Sequence, residues 1–145
     1  MKRFVFSLVV FLCAVSVQAQ AVLPEVVTRG LLAYKSTAGS KEAIAVWMKG
    51  SPSENEANPK IAAGDLAKIE ATYGKMIGFE PIRMVSLTAS LQRVYVLVKY
   101  ERGPVFFTLD CYKPVADKEW VVYLIDFNAN PEAVFPRESL MGLVK

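Results

Sequence analysis

Acid–base chemistry has few footholds in this chain. Asp110 and Asp126 lie in the apolar runs PVFFTLDCY and EWVVYLIDF, among tyrosines. A carboxylate beside phenolic donors is the pairing a proton-abstracting site uses, with the aspartate as general base. The other classes thin out quickly. The sequence contains no histidine, which removes histidine-based triads, the usual zinc sites and histidine general bases together. Cys111 therefore has no imidazole to activate it and reads as a small buried residue of its strand. Glu54 and Glu56 are loop carboxylates of the ordinary solvated kind, and no glycine loop for phosphate or calcium loop is present. No metal and no cofactor is expected.

The second chemistry on offer is binding. Tyr34, Trp47 and Tyr73 fall in helical segments, and Tyr100, Phe107 and Tyr123 in strands. Apolar walls carrying a few hydroxyls suit a small amphipathic ligand. The same six also serve as core filling, with the tyrosine hydroxyls reaching the rim.

The strands that would position these residues run from Gln92 to Asn128 as a meander, broken at Arg102-Gly103-Pro104 and at 113–118. Alternate residues of a strand face opposite ways. One set is Val94, Val96, Val98, Tyr100, then Val105, Phe107, Leu109, Cys111, then Val121, Tyr123, Ile125 and Phe127, and it is almost wholly apolar. The other carries Arg93, Lys99, Asp110 and Asp126 together with Tyr95, Leu97, Phe106, Tyr112, Trp120, Val122 and Leu124. An antiparallel sheet with one dry and one mixed face is covered on one side only. The mixed set is too apolar for plain exposure, so a homodimer through this outer face is expected; burial under 132–145 is the alternative. The parity also puts both aspartates outside the expected pocket, among basic residues where cross-strand ion pairs are ordinary. A β-bulge would reverse that facing.

Helical spacing predicts a helix over 24–35, a second over 41–49 capped by Ser40, and a third from Asn58-Pro59 to about Ile77, stopped by Gly78. A first strand follows over 80–89, with Pro81 near its start. The fold class is α+β, with N-terminal helices packed on a strongly curved four-stranded antiparallel sheet.

The first 20 residues have the zones of a secretory signal peptide: Lys2-Arg3, an apolar run from Phe4 to Val17, and small residues allowing cleavage after Ala19 or Ala21. Leu12 before Cys13 does not fit a lipidation signal. Loss of Lys2 and Arg3 lowers Lys plus Arg from 17 to 15 against 14 acidic residues, a net charge of +1. A near-neutral chain with scattered basic residues has no footprint for nucleic acid or an anionic membrane. After processing, no membrane span is expected, and 21–145 reads as one periplasmic or secreted domain with a single cysteine and no intramolecular disulfide.

The helix around Ala43-Ile44-Ala45-Val46-Trp47-Met48, the helix end at Tyr73-Gly74, the hairpin from Val98 to Phe107, and Trp120 to Asn128 together resemble the cone-shaped, cystatin-like superfamily of nuclear transport factor two and ketosteroid isomerase, and in particular its small exported bacterial members without assigned activity. The resemblance covers nearly all of 21–145. It implies a pocket between helices and concave sheet, and dimerisation by the outer face, without implying one function. Three functions remain open: a non-catalytic domain binding a small ligand, an isomerase- or lyase-like enzyme using Asp110 or Asp126, and an envelope accessory acting through protein contact.

Overall fold

The computed structural model describes residues 22–37, 39–55, 58–115 and 118–135. The expected leader and residues 136–145 lie outside them. Three helices precede the sheet: α1 (Glu25–Lys35), α2 (Gly39–Met48) and α3 (Asn58–Tyr73), with a 3₁₀ turn at Pro52–Asn55 before α3. Four strands follow, β1 (Met76–Thr88), β2 (Leu91–Tyr100), β3 (Gly103–Tyr112) and β4 (Val121–Asn128), and then one helical turn, α4 (Pro131–Val134). The strands form an open antiparallel meander in the order β1-β2-β3-β4. Fold class and order of elements are as the sequence predicts. Among the described residues no helix is long and apolar enough to cross a membrane.

Pro24 stands at the N-cap of α1, where its carbonyl accepts from the amides of Val27 and Thr28 at 3.0 and 3.2 Å. Val26, Val27, Gly30, Leu31 and Tyr34 make the buried stripe of α1, and Ala43, Ile44, Trp47 and Met48 that of α2. The two helices meet where the Trp47 indole lies flat against Gly30 and donates from Nε1 to the Val27 carbonyl at 3.2 Å. A side chain at position 30 would occupy the space of the indole.

α3 ends at Tyr73, four residues before the expected stop. Gly74 takes φ +85°, a conformation costly for other residues, and turns the chain into β1. The Arg102 amide donates to the Tyr73 carbonyl at 2.9 Å and the Glu101 amide to the Lys75 carbonyl at 3.1 Å, so the β2–β3 turn clasps the helix end. Met76, expected on the helix stripe, instead opens β1 opposite Tyr100. β1 is accordingly longer than predicted, with register irregularities near Gly78, Ile82 and Leu87. Pro81 is tolerated because β1 is an edge strand.

The inner face of the sheet is set by the pairs Val94↔Leu109, Val96↔Phe107 and Val98↔Val105, all buried against the helices. Each such side chain contributes roughly 1.5–3 kcal/mol on burial, far beyond what the few outer charges could offset if the sheet were turned over. Between β3 and β4 the ladder slips: Asp110 pairs with Leu124 but Cys111 pairs with Val122, leaving Tyr123 as the extra residue of a bulge. Beyond the bulge the predicted facing is reversed. Val122 is fully buried on the inner face and Trp120 packs against the core, whereas both were expected outside; Tyr123, expected inside, is 39% exposed.

The chain then turns back over the outer face. Asn130 caps α4 by accepting from the Glu132 amide at 3.0 Å. Phe135, only 6% exposed, places its ring 5.0 Å from that of Tyr95 and 5.7 Å from that of Phe106.

Candidate functional site

The space between helices and sheet is filled by the aromatic residues singled out from the sequence. Phe107 lies 6.4 Å from Trp47, 6.4 Å from Tyr34 and 5.5 Å from Phe127, ring centre to ring centre. Tyr34 and Tyr100 meet edge-on at 6.2 Å, and Tyr73, half-buried, extends the cluster at 6.3 Å from Tyr100. The hydroxyls of Tyr34 and Tyr100 are consumed internally: Tyr100 Oη donates to Tyr34 Oη at 2.9 Å, and Tyr34 Oη donates to the Leu66 carbonyl at 3.3 Å. Burial pushes both phenols well above their ordinary range. These five residues come together as a packed, hydrogen-bonded core that ties α1, α3 and β2 to one another.

Both aspartates face away from that core. Asp110 is 1% exposed, and both of its oxygens accept from Arg93, Nε to Oδ1 and Nη2 to Oδ2, each at 2.7 Å. The Tyr123 hydroxyl donates to Oδ2 at 3.5 Å. This bidentate hydrogen bonding, opposed by desolvation, raises the Arg93 guanidinium further above its usual value. A carboxylate gripped at both oxygens by a guanidinium is poorly placed to take a proton from a substrate. Asp126 is exposed and uses Oδ1 to accept the Phe127 amide at 2.8 Å. The neighbouring Thr108 Oγ1 is buried without a partner among the described residues. Burial, with the Asp110 charge adding to it, pushes the Cys111 thiol up to about 12, so it is not a nucleophile near neutral pH.

The residues proposed for a dimer face separate into groups. Tyr95 lies buried beneath Phe135; Leu97 and Phe106 are half-buried; Tyr112 and Leu124 remain 43% and 48% exposed. Trp120 and Val122 belong to the core side because of the bulge.

The open space lies elsewhere. A groove of about 1160 Å³ runs round the N-terminal end of β4, where the tips of β2 and β3 meet α1 and the end of α2. Val26, Val46, Trp120, Val121, Tyr112 and Tyr123 give it apolar walls, and Arg29, Lys49, Lys118 and Glu119 stand on its rim. Arg29 Nη2 reaches Glu119 Oε2 at 3.5 Å, and Lys113 Nζ lies 5.8 Å from the centre of the Trp120 ring. Of the six pocket residues read from the sequence, only Tyr123 lines this groove. The other residues of the groove come from α1, the end of α2 and the turn after it, the start of β2, the end of β3 and the approach to β4, and the one local cue was an aromatic residue leading a strand out of a lysine-bearing loop. Among the described residues no cluster of three or more acidic or cysteine side chains is arranged to hold a metal ion.

Fold and site together define an α+β domain with a closed aromatic core and an apolar, cation-rimmed groove at one end of its sheet. No family model, curated protein or solved structure matches the chain.

Proposed function

We propose that this protein is an exported, non-catalytic binding domain of the nuclear transport factor two-like class that takes a small amphipathic ligand in the groove beside Trp120. Helices first and then a curled meander with a tryptophan at the head of its last strand support the class. The groove carries the functional reading: it is about 1160 Å³, comparable to the larger small-molecule sites, and apolar with polar groups at its rim. In this reading the site lies at the end of the sheet rather than in the concave interior. An isomerase or lyase built on Asp110 or Asp126 is the weaker proposal, since neither carboxylate lines the groove and Arg93 occupies both oxygens of Asp110.

The uncharged fluorophore N-phenyl-1-naphthylamine tests the binding reading. Its emission under excitation of tryptophan should rise and saturate as it enters beside Trp120, and Val46→Asp should weaken it by about tenfold, the loss of one apolar wall residue. Linear, unsaturable emission with the folded wild-type protein overturns the reading.

A second reading, envelope accessory action through protein contact, includes self-association by the outer face. The exposed Leu124, Tyr112 and Tyr123 favour it, although Phe135 already covers the other end of that face. A monomeric mass by light scattering at micromolar concentration would sink the homodimer.

A further inference from the structure

We infer that the ligand of this groove is an anionic amphiphile in free solution, an acyl or aryl chain ending in a carboxylate, with its polar end between Lys49 and Lys118. The inference rests on the groove being a binding site and adds the sign of the ligand's charge. Among the described residues the rim carries three cations, Arg29, Lys49 and Lys118, against one anion, Glu119. Arg29 is already committed, to Glu119 at 3.5 Å and to Glu25 at 3.9 Å. Among the described residues neither Lys49 nor Lys118 has a carboxylate within 4.0 Å. A smaller recess of about 240 Å³ adjoins the groove at Trp120 and adds Lys113, whose ammonium sits over that ring, and Glu25, which is the partner of Arg29.

Cations at the rim of an apolar trough, without a carboxylate partner among the described residues, set a particular preference. The trough rewards a chain, each buried methylene contributing about 0.8 kcal/mol. The rim rewards a negative end and repels a positive one. Such a site discriminates by charge sign at equal chain length, whereas a purely apolar trough would not.

Three competitors of N-phenyl-1-naphthylamine separate the contributions when used below their micellar concentrations: decanoate, decyltrimethylammonium and acetate. Decanoate should displace the fluorophore with a Kd about tenfold below that of decyltrimethylammonium, the effect expected of two rim charges. Acetate should displace nothing, since it has no chain. In Lys49→Glu/Lys118→Glu, whose folding is checked by far-ultraviolet circular dichroism, the order of the two ten-carbon competitors should invert. High salt should shrink the preference in the wild-type protein, where no variant is needed.

Equal displacement by the two long-chain competitors, or an unchanged order in the double variant, overturns the inference and leaves the binding reading standing. Absence of fluorophore binding by the wild-type protein removes both. If decanoate binds only when presented in vesicles, a membrane surface rather than a free amphiphile is the target, and the inference again fails.

Discussion

Gly30→Ala puts the packing of the two N-terminal helices to a test in which two elementary effects oppose each other. By helix propensity alone, alanine in the interior of α1 should stabilise by about 1 kcal/mol. The structure reverses that sign. A Cβ at position 30 would overlap Nε1, Cδ1 and Cε2 of the Trp47 indole, which is fully buried and has no room to retreat. Overpacking a filled core costs about 1–3 kcal/mol. Displacing the indole also breaks its bond to the Val27 carbonyl at 3.2 Å and leaves a buried donor unpaired, a further cost of about 1–3 kcal/mol. After the propensity gain is subtracted, a net loss of about 3 kcal/mol lies mid-range. Urea unfolding followed by far-ultraviolet circular dichroism should show a midpoint lower by roughly 1–2 M with an unchanged slope. Gly64→Ala on α3 is the control: nothing lies within 4 Å of its Cβ, so only the propensity gain of up to about 1 kcal/mol remains. In a Trp47→Leu background the cost of Gly30→Ala should largely vanish, as a coupled pair requires. Gly30→Ala as stable as the wild type, or more so, refutes this account of the α1–α2 contact.

The buried acidic groups make stability fall in alkali. Burial pushes the Cys111 thiol up to about 12 from its ordinary value near 9, so its contribution is whole below pH 9 and is lost as pH rises from 9 through 12. By pH 11 that amounts to about 2–3 kcal/mol, and the raised phenols of Tyr34 and Tyr100 act in the same direction. Urea midpoints at pH 7.5 and pH 11 should therefore converge for wild type and Cys111→Ala; a gap independent of pH contradicts the assignment. On the outer face, Leu124→Lys should halve the mass of a homodimer in light scattering while changing the stability of the protomer itself by no more than about 0.5 kcal/mol, as for an exposed site. A dimer that survives it uses another surface.

How far each element could be read from the sequence depended on whether its cause was local. The meander and its dry face follow from a two-residue alternation, and β2 and β3 obey it throughout. The end of α3 did not, because Tyr73 and Met76 continue a helical stripe across Gly74, and only the β2–β3 turn, bonded to the Tyr73 and Lys75 carbonyls, decides which glycine stops the helix. β4 hid its bulge because Val121 to Ile125 is apolar or aromatic at every position, so no alternation marks the extra residue. Pairing with β3 places it. The groove was hidden for the same reason on a larger scale: its walls come from α1, α2, β3 and β4, and no single window of sequence contains them.

The bulge at Tyr123 shows how a sheet can take in one residue without rewriting its core. An inserted residue in a regular strand inverts the facing of everything on one side of it, so every core position there would have to change together. Here Val122 stays opposite Cys111 and Leu124 opposite Asp110, as they would in an uninterrupted ladder from which Tyr123 had been removed. Tyr123 is thus supernumerary to the sheet, and it is the residue that joins the groove to the Arg93–Asp110 pair. A change of one codon's length can in this way add a side chain to a surface while leaving the interior it was grafted onto intact.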